Sequence, residues 1–162
     1  MRFAVGLLLG VIVFVADQAS KYEVLHALHL QDGKILSPLP VLDLVLVWNH
    51  GITFGLLAGL GAKILLAVIA SLVIIGLVVW MARTRRWLVT LAVGAIAGGA
   101  AGNVLDRLRF GAVVDFIHVH IGALNYPWVF NVGDSAIVCG VIVLIIDNLR
   151  RKPPVATNQR EG

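Results

Sequence analysis

Four stretches of the chain carry almost no polar residues. They run from Phe3 to about Tyr22, from Ala62 to Met81, from Trp87 to about Asp106, and from about Gly133 to Asn148. About 20 apolar helical residues cross a bilayer, so the pattern predicts four transmembrane helices in a single domain over residues 1–152. The first stretch follows Arg2, as the core of a signal peptide would. Cleavage after Ala16 would put Phe14 at the −3 position, and cleavage after Ala19 would put Asp17 there. Neither is a small-residue signal, so the stretch is read as a retained span.

Between the first two spans the pattern changes. "VLDLVLVW" (41–48) is β-rich, with Pro38 and Pro40 before it and Asn49-His50-Gly51 after it. It predicts a small β-sheet outside the membrane, and "QDGK" (31–34) predicts a hairpin turn. "ITFGLLAGLG" (52–61) is apolar but too short to span, which predicts a short helix on the interface. Residues 153–162 are polar and contain Pro, and are expected to be disordered.

Composition supports a bilayer as solvent. The chain is 59% apolar and 14% charged, against about 25% charged in soluble domains. The formal charge of +4 does not suggest nucleic-acid binding, because most of the basic residues flank apolar runs. Arg2, the trio Arg83, Arg85 and Arg86, and the trio Arg150, Arg151 and Lys152 all fall on one side of a four-span arrangement. That side is expected to be cytoplasmic, with both termini inside. Residues 23–61 and 107–132 are then outside. The single Cys139 excludes an internal disulfide or a CxxC site. It reads as a buried, inert thiol.

The acids are unevenly placed. Asp17 ends the first span, Asp106 ends the third, Asp115 lies in the second outer segment and Asp134 starts the fourth span. All four fall near the outer face. Asp147 sits at the inner end beside basic residues, where a solvated charge explains it. Asp17 and Lys21 share a helix face at i,i+4 in the favourable order. They read as an ion pair with Lys21 snorkelling outward, compatible with bracing a site. Gly94, Gly98 and Gly102 repeat at i,i+4 and predict a close helix–helix contact, with Asn103, Asp106 and Arg107 continuing beyond it. Asp106 and Arg107 also fit a plain helix-end charge cluster.

In "FNVGDS" (130–135), Asn131 or Asp134 fits an N-cap. Counting back from Asn148 at 1.5 Å per residue, Asp134 lies about 24 Å away, short of a core about 30 Å thick. An acid at that depth is a functional candidate. Two carboxylates together in a low-dielectric rim do not both ionise easily, so one keeps a proton while the other acts as base. Asp115 and Asp134 are therefore the candidate catalytic pair. His118 and His120 would share a strand face, but no third metal ligand has suitable spacing. Ser20 and Lys21 are adjacent and do not face each other on a helix.

Together "DQASK" (17–21), "NHGITFG" (49–55), "GGAAGNVLDR" (98–107), "GAVVDF" (111–116) and "FNVGDS" (130–135) resemble the lipoprotein signal peptidases, the type II signal peptidases of bacteria. Thr53 and Gly133 depart from the commonest wording, where Ala is frequent. The resemblance implies a four-span aspartic endopeptidase of the bacterial inner membrane, active at its outer face. It would cut diacylglyceryl-modified prolipoproteins just before the lipidated Cys. It implies Asp115 and Asp134 as the catalytic pair, and Asp17, Lys21, Asn49, Gly51, Asn103, Arg107 and Asn131 as residues that shape or brace the site. Asp106, from the count of acids, joins them. The outer sheet and interfacial helix would cradle the substrate. No metal or cofactor is expected, and a monomer in contact with membrane lipid is. The rival reading is a small proton-coupled transporter, whose acids would lie nearer the midplane.

Overall fold

The computed structural model describes residues 1–28, 30, 33–51, 60–121 and 124–150. The helices are α1 (Arg2–Tyr22), α2 (Leu60–Arg83), α3 (Trp87–Phe110) and α4 (Val132–Leu149). Each is long and apolar enough to cross a membrane. The expected spans all form, and α3 runs one turn past Asp106. Glu23–Ala27 continues α1 as a short π-helix. The expected interfacial helix (52–61) falls almost wholly outside the described residues, with only its last two positions in α2. The expected disordered tail (153–162) lies outside them altogether.

Lipid removes the usual rule that apolar side chains turn inward. Leu8, Val11 and Ile12 of α1, Leu72 and Ile75 of α2, and Ile142 and Ile145 of α4 are exposed, as membrane-facing residues would be. Cys139 is exposed as well, which corrects the expectation of a buried thiol. The helix α3 occupies the centre, packed against α1, α2 and α4. Without a hydrophobic drive between helices, close packing has to come from small residues. A Cβ added at Gly94 would collide with the carbonyl oxygen of Gly6, and one at Gly98 with that of Gly10. The glycine repeat is where α1 and α3 touch backbone to backbone. Gly99 meets Gly133 of α4 in the same way.

Strands β1 (Ile35–Leu39), β2 (Leu42–Asn49), β3 (Val113–Ile121) and β4 (Leu124–Phe130) form one antiparallel sheet in the order β1-β2-β3-β4. The expected sheet is therefore larger than predicted, since both outer segments contribute two strands. Leu39 pairs with Leu42, so the β1–β2 chain reversal falls at Pro40-Val41. "QDGK" is not that hairpin. Gly33 does take a positive φ of 72°, but it precedes β1, and Gln31 and Asp32 are outside the described residues. Phe116 packs with Val24 and Leu30 beneath the sheet. This ties the sheet to the end of α1.

At the opposite end of the bundle Asp147 pairs with Arg86 and is buried. The expected solvated charge is instead a link between the start of α3 and the last turn of α4.

Candidate active site

The site lies where α1, α3 and α4 meet the sheet. After α3, Gly111 adopts a left-handed φ of 72° and its N–H donates to the carbonyl of Arg107 at 3.0 Å. This cap turns the chain directly into β3. The N–H of Val114 donates to Asp106 Oδ2 at 3.1 Å, which fixes the start of β3 against the helix it has just left. Asp115 follows and is buried. β2 pairs with β3 so that Val47 faces Asp115 and Asn49 faces Val113.

Asp134 is held by a different device. Asn131 caps α4, with its side chain accepting from the Asp134 N–H at 2.8 Å. Its own N–H donates to Asp134 Oδ2 at 3.3 Å. This reciprocal capping box satisfies helix-end donors and fixes the Asp134 carboxylate at the mouth of the helix. Of the two N-cap candidates the cap is Asn131, and Asp134 is its partner three residues on.

Asn131 also joins the two acids. Its Nδ2 donates to Asp115 Oδ1 at 2.7 Å and to Asn103 Oδ1 at 3.1 Å. Asn103 in turn donates to Asp134 Oδ1 at 2.8 Å. The other oxygen of Asp115 accepts from Asn49 Nδ2 at 2.8 Å. Asn49 is aimed by a local turn in which its Oδ1 accepts from the Gly51 N–H at 2.8 Å. Gly51 has φ 83°, a conformation that needs glycine, and it sits against Arg107. Arg107 donates to the carbonyl of Asn103 at 3.1 Å, and its charge acts on Asp134, Asp115 and Asp106.

Beneath this layer lies a buried ion triad. Lys21 Nζ is 2.7 Å from Asp17 Oδ2, 2.8 Å from Asp106 Oδ2 and 3.0 Å from Asn103 Oδ1. Lys21 is 2% exposed and both acids 0%. Lys21 therefore does not snorkel, because two carboxylates draw it inward. Asp106 is a partner in the triad rather than part of a loose helix-end cluster. The remaining oxygen of Asp17 accepts from the Gly133 N–H at 2.8 Å, so the triad also grips the first turn of α4. Gln18 was missed as a site residue. Its Nε2 reaches Asp106 Oδ1 at 3.0 Å, Asp17 Oδ2 at 3.2 Å and the carbonyl of Gly102 at 3.3 Å. A neutral amide beside Asp17 inside an apolar span was the available signal.

All ten expected site residues thus meet in one connected network. Burial is the main cause of an upward shift of the Asp115 pKa from 3.8 to about 6, and nearby Asp134 adds to it. The amides of Asn49 and Asn131 and the charge of Lys21 partly oppose the shift. Ser20 Oγ donates to the carbonyl of Asp17 at 2.8 Å and takes no part. His118 and His120 lie on the sheet beside Asp43, with ring nitrogens 3.8 and 3.2 Å from its Oδ2.

The sequence matches the family model for signal peptidase (SPase) II over residues 9–150. The chain belongs to the signal peptidase II family. Among the relatives, the lipoprotein signal peptidase of Rhodopseudomonas palustris (strain ATCC BAA-98 / CGA009) is 44% identical over 149 residues, covering 89% of this chain and 91% of the relative. That of Caulobacter vibrioides (strain ATCC 19089 / CIP 103742 / CB 15) is 39% identical, covering 94% and 91%. A bacterial membrane enzyme solved by the in meso method superposes with a TM-score of 0.80 at 30% identity, covering 92% of this chain and 95% of that one. Signal peptidase II is a protease family, and these relatives give no support to the transporter reading.

Proposed function

We propose that this signal peptidase II removes the signal peptide from diacylglyceryl-modified prolipoproteins by aspartic catalysis, cutting just before the lipidated Cys. Asp115 and Asp134 are the catalytic pair. The observation that carries this reading is the convergence of both acids on Asn131, which hydrogen-bonds each of them. One carboxylate takes a proton from water as the water oxygen attacks the scissile carbonyl. The other, protonated, hydrogen-bonds the developing oxyanion and then gives its proton to the leaving amide nitrogen. Asn49, Asn103 and Asn131 hold the carboxylates, and the Asp17–Lys21–Asp106 triad holds Asn103 through Lys21 and the first turn of α4 through Asp17. All ten residues of the network come from one chain, which supports a monomer.

A cavity of about 540 Å³ runs beside Asp134, lined by Phe130, Ser135, Ile137, Val138 and Cys139. It opens on the exposed side of α4. A substrate anchored by acyl chains would reach the acids sideways from the bilayer, with its scissile bond held at the rim. Anchoring removes part of the cost of positioning. Purified protein in micelles is therefore expected to cleave a diacylated prolipoprotein much faster than the same precursor without lipid. Equal rates would sink the lipid requirement and point to a general signal peptidase.

The basic residues favour an orientation with Arg83–Arg86 in the cytoplasm and the sheet outside. In a Cys139→Ala background, an impermeant thiol reagent applied to cells with an accessible outer face should label Trp48→Cys and spare Thr84→Cys. The reverse pattern would invert the topology.

A further inference from the structure

The end of the bundle remote from Asp115 and Asp134 holds another cavity, of about 500 Å³, lined by Met1, Arg2, Phe3, Met81, Thr84 and Trp87. No acid is among the described residues that line it. Arg2 is fixed in place, with Nη1 donating to the carbonyl of Arg85 at 2.8 Å and its guanidinium 5.6 Å from the centre of the Trp87 ring. Two long helices, α1 and α3, begin here. Neither has a side-chain cap or an acid in its first turn. The first N–H groups and positive end of α1 are thus uncompensated by side chains, which is the electrostatic setting of a phosphate site, whereas the start of α3 already has the Thr84 hydroxyl on the Arg86 N–H and Asp147 against Arg86.

Met81 also lines a second hollow, of about 200 Å³. This one is apolar and lies between α1 and α2 over the glycine face of α3, with walls that include Leu7, Phe14, Ile74 and Val78. From Arg2 to Phe14 is about 18 Å at 1.5 Å per helical residue. Half of a hydrocarbon core is about 15 Å. The two hollows together therefore extend from the headgroup level to the midplane, the depth of one leaflet.

We propose that the two hollows form one binding site for an anionic phospholipid of the leaflet opposite the catalytic rim. The phosphate sits by Arg2 and the start of α1, and one acyl chain lies in the groove between α1 and α2. The charge of the upper part and the apolar walls of the lower part match the two ends of such a molecule, and Met81 joins them. The inference does not depend on the catalytic reading, because none of these residues belongs to the network around Asp115 and Asp134.

Native mass spectrometry of the full chain in detergent tests it, with phosphatidylglycerol, phosphatidylcholine of the same acyl chains, and glycerol phosphate titrated separately. Phosphatidylglycerol is expected to bind about tenfold more tightly than phosphatidylcholine. Arg2→Gln should abolish that preference, and Arg2→Lys should keep most of it. Leu7→Trp, which fills the groove from its exposed side, should weaken both lipids. Equal binding of the two lipids, or an unchanged preference in Arg2→Gln, overturns the proposal. Displacement of phosphatidylglycerol by an equal concentration of glycerol phosphate also overturns it, since it would reveal a plain anion site without a chain groove. Retained prolipoprotein cleavage by Arg2→Gln provides the folding control.

Discussion

Asp115→Asn and Asp134→Asn should each abolish prolipoprotein cleavage, with losses on the order of 10⁴-fold, the upper range for a positioned acid or base. The double variant should lose little beyond either single one, because groups that act as a unit are strongly non-additive. The two substitutions are not structurally equal. Asp115 accepts from Asn49 on one oxygen and from Asn131 on the other. Asn offers only one acceptor there, and neither neighbour flips freely, since each Oδ1 is already engaged. Melting must therefore be measured alongside cleavage.

That measurement carries its own signature. The Asp115 pKa is raised from 3.8 to about 6 in the folded protein. Between those values the native state binds more protons than the unfolded state, so stability falls as pH rises from about 4 to 6. The Asp115→Asn variant should lack this descent and melt at a temperature nearly independent of pH over that interval, as far as Asp115 governs it. A well-folded Asp115→Asn or Asp134→Asn protein with near-normal cleavage would eliminate the dyad. Asp147→Asn would not serve as a neutral control, because Asp147 is buried against Arg86.

Lys21→Met should be the most damaging single change to stability. It leaves Asp17 and Asp106, neither with any exposure, facing each other without their shared cation. Breaking a buried pair by removing one partner costs about 3–5 kcal/mol, equivalent to roughly 10 °C in melting temperature for a chain of this size. The loss should be partly repaired in Lys21→Met/Asp17→Asn, which removes one of the stranded charges. A Lys21→Met protein that melts within a degree or two of the parent would show that the triad is not holding the site.

The spans could be read from the sequence because lipid imposes a strong and local condition, a run of about 20 apolar residues. The gathering of acids was legible for the same reason, since counting spans assigns each acid to one face. Local readings failed where a partner lies far along the chain. Lys21 read as a snorkelling side chain because its second carboxylate, Asp106, arrives with α3. Asp147 read as solvated because Arg86 arrives from the α2–α3 turn. β3 went unpredicted because its partner β2 is some 70 residues away and the run "AVVDFI" (112–117) does not alternate, and β4 has only β3 to pair with. Gln18 was passed over because an amide carries no charge to count, although its three acceptors lie at the centre of the packing.

The spacing of the triad also bears on how the protein is made. A ribosome delivers α1 long before α3, and the N-terminal part of a chain is first to meet its environment. Asp17 and Lys21 are four residues apart on one face, so each can neutralise the other as soon as the first helix exists. Asp106 meets Lys21 only when α3 arrives and the α1–α3 contact forms. The grip on Gly133 follows only when α4 enters. If Asp134 is catalytic as proposed, this order would keep an unfinished chain inert, because α4 brings Asp134 together with the Asn131 cap that aims it.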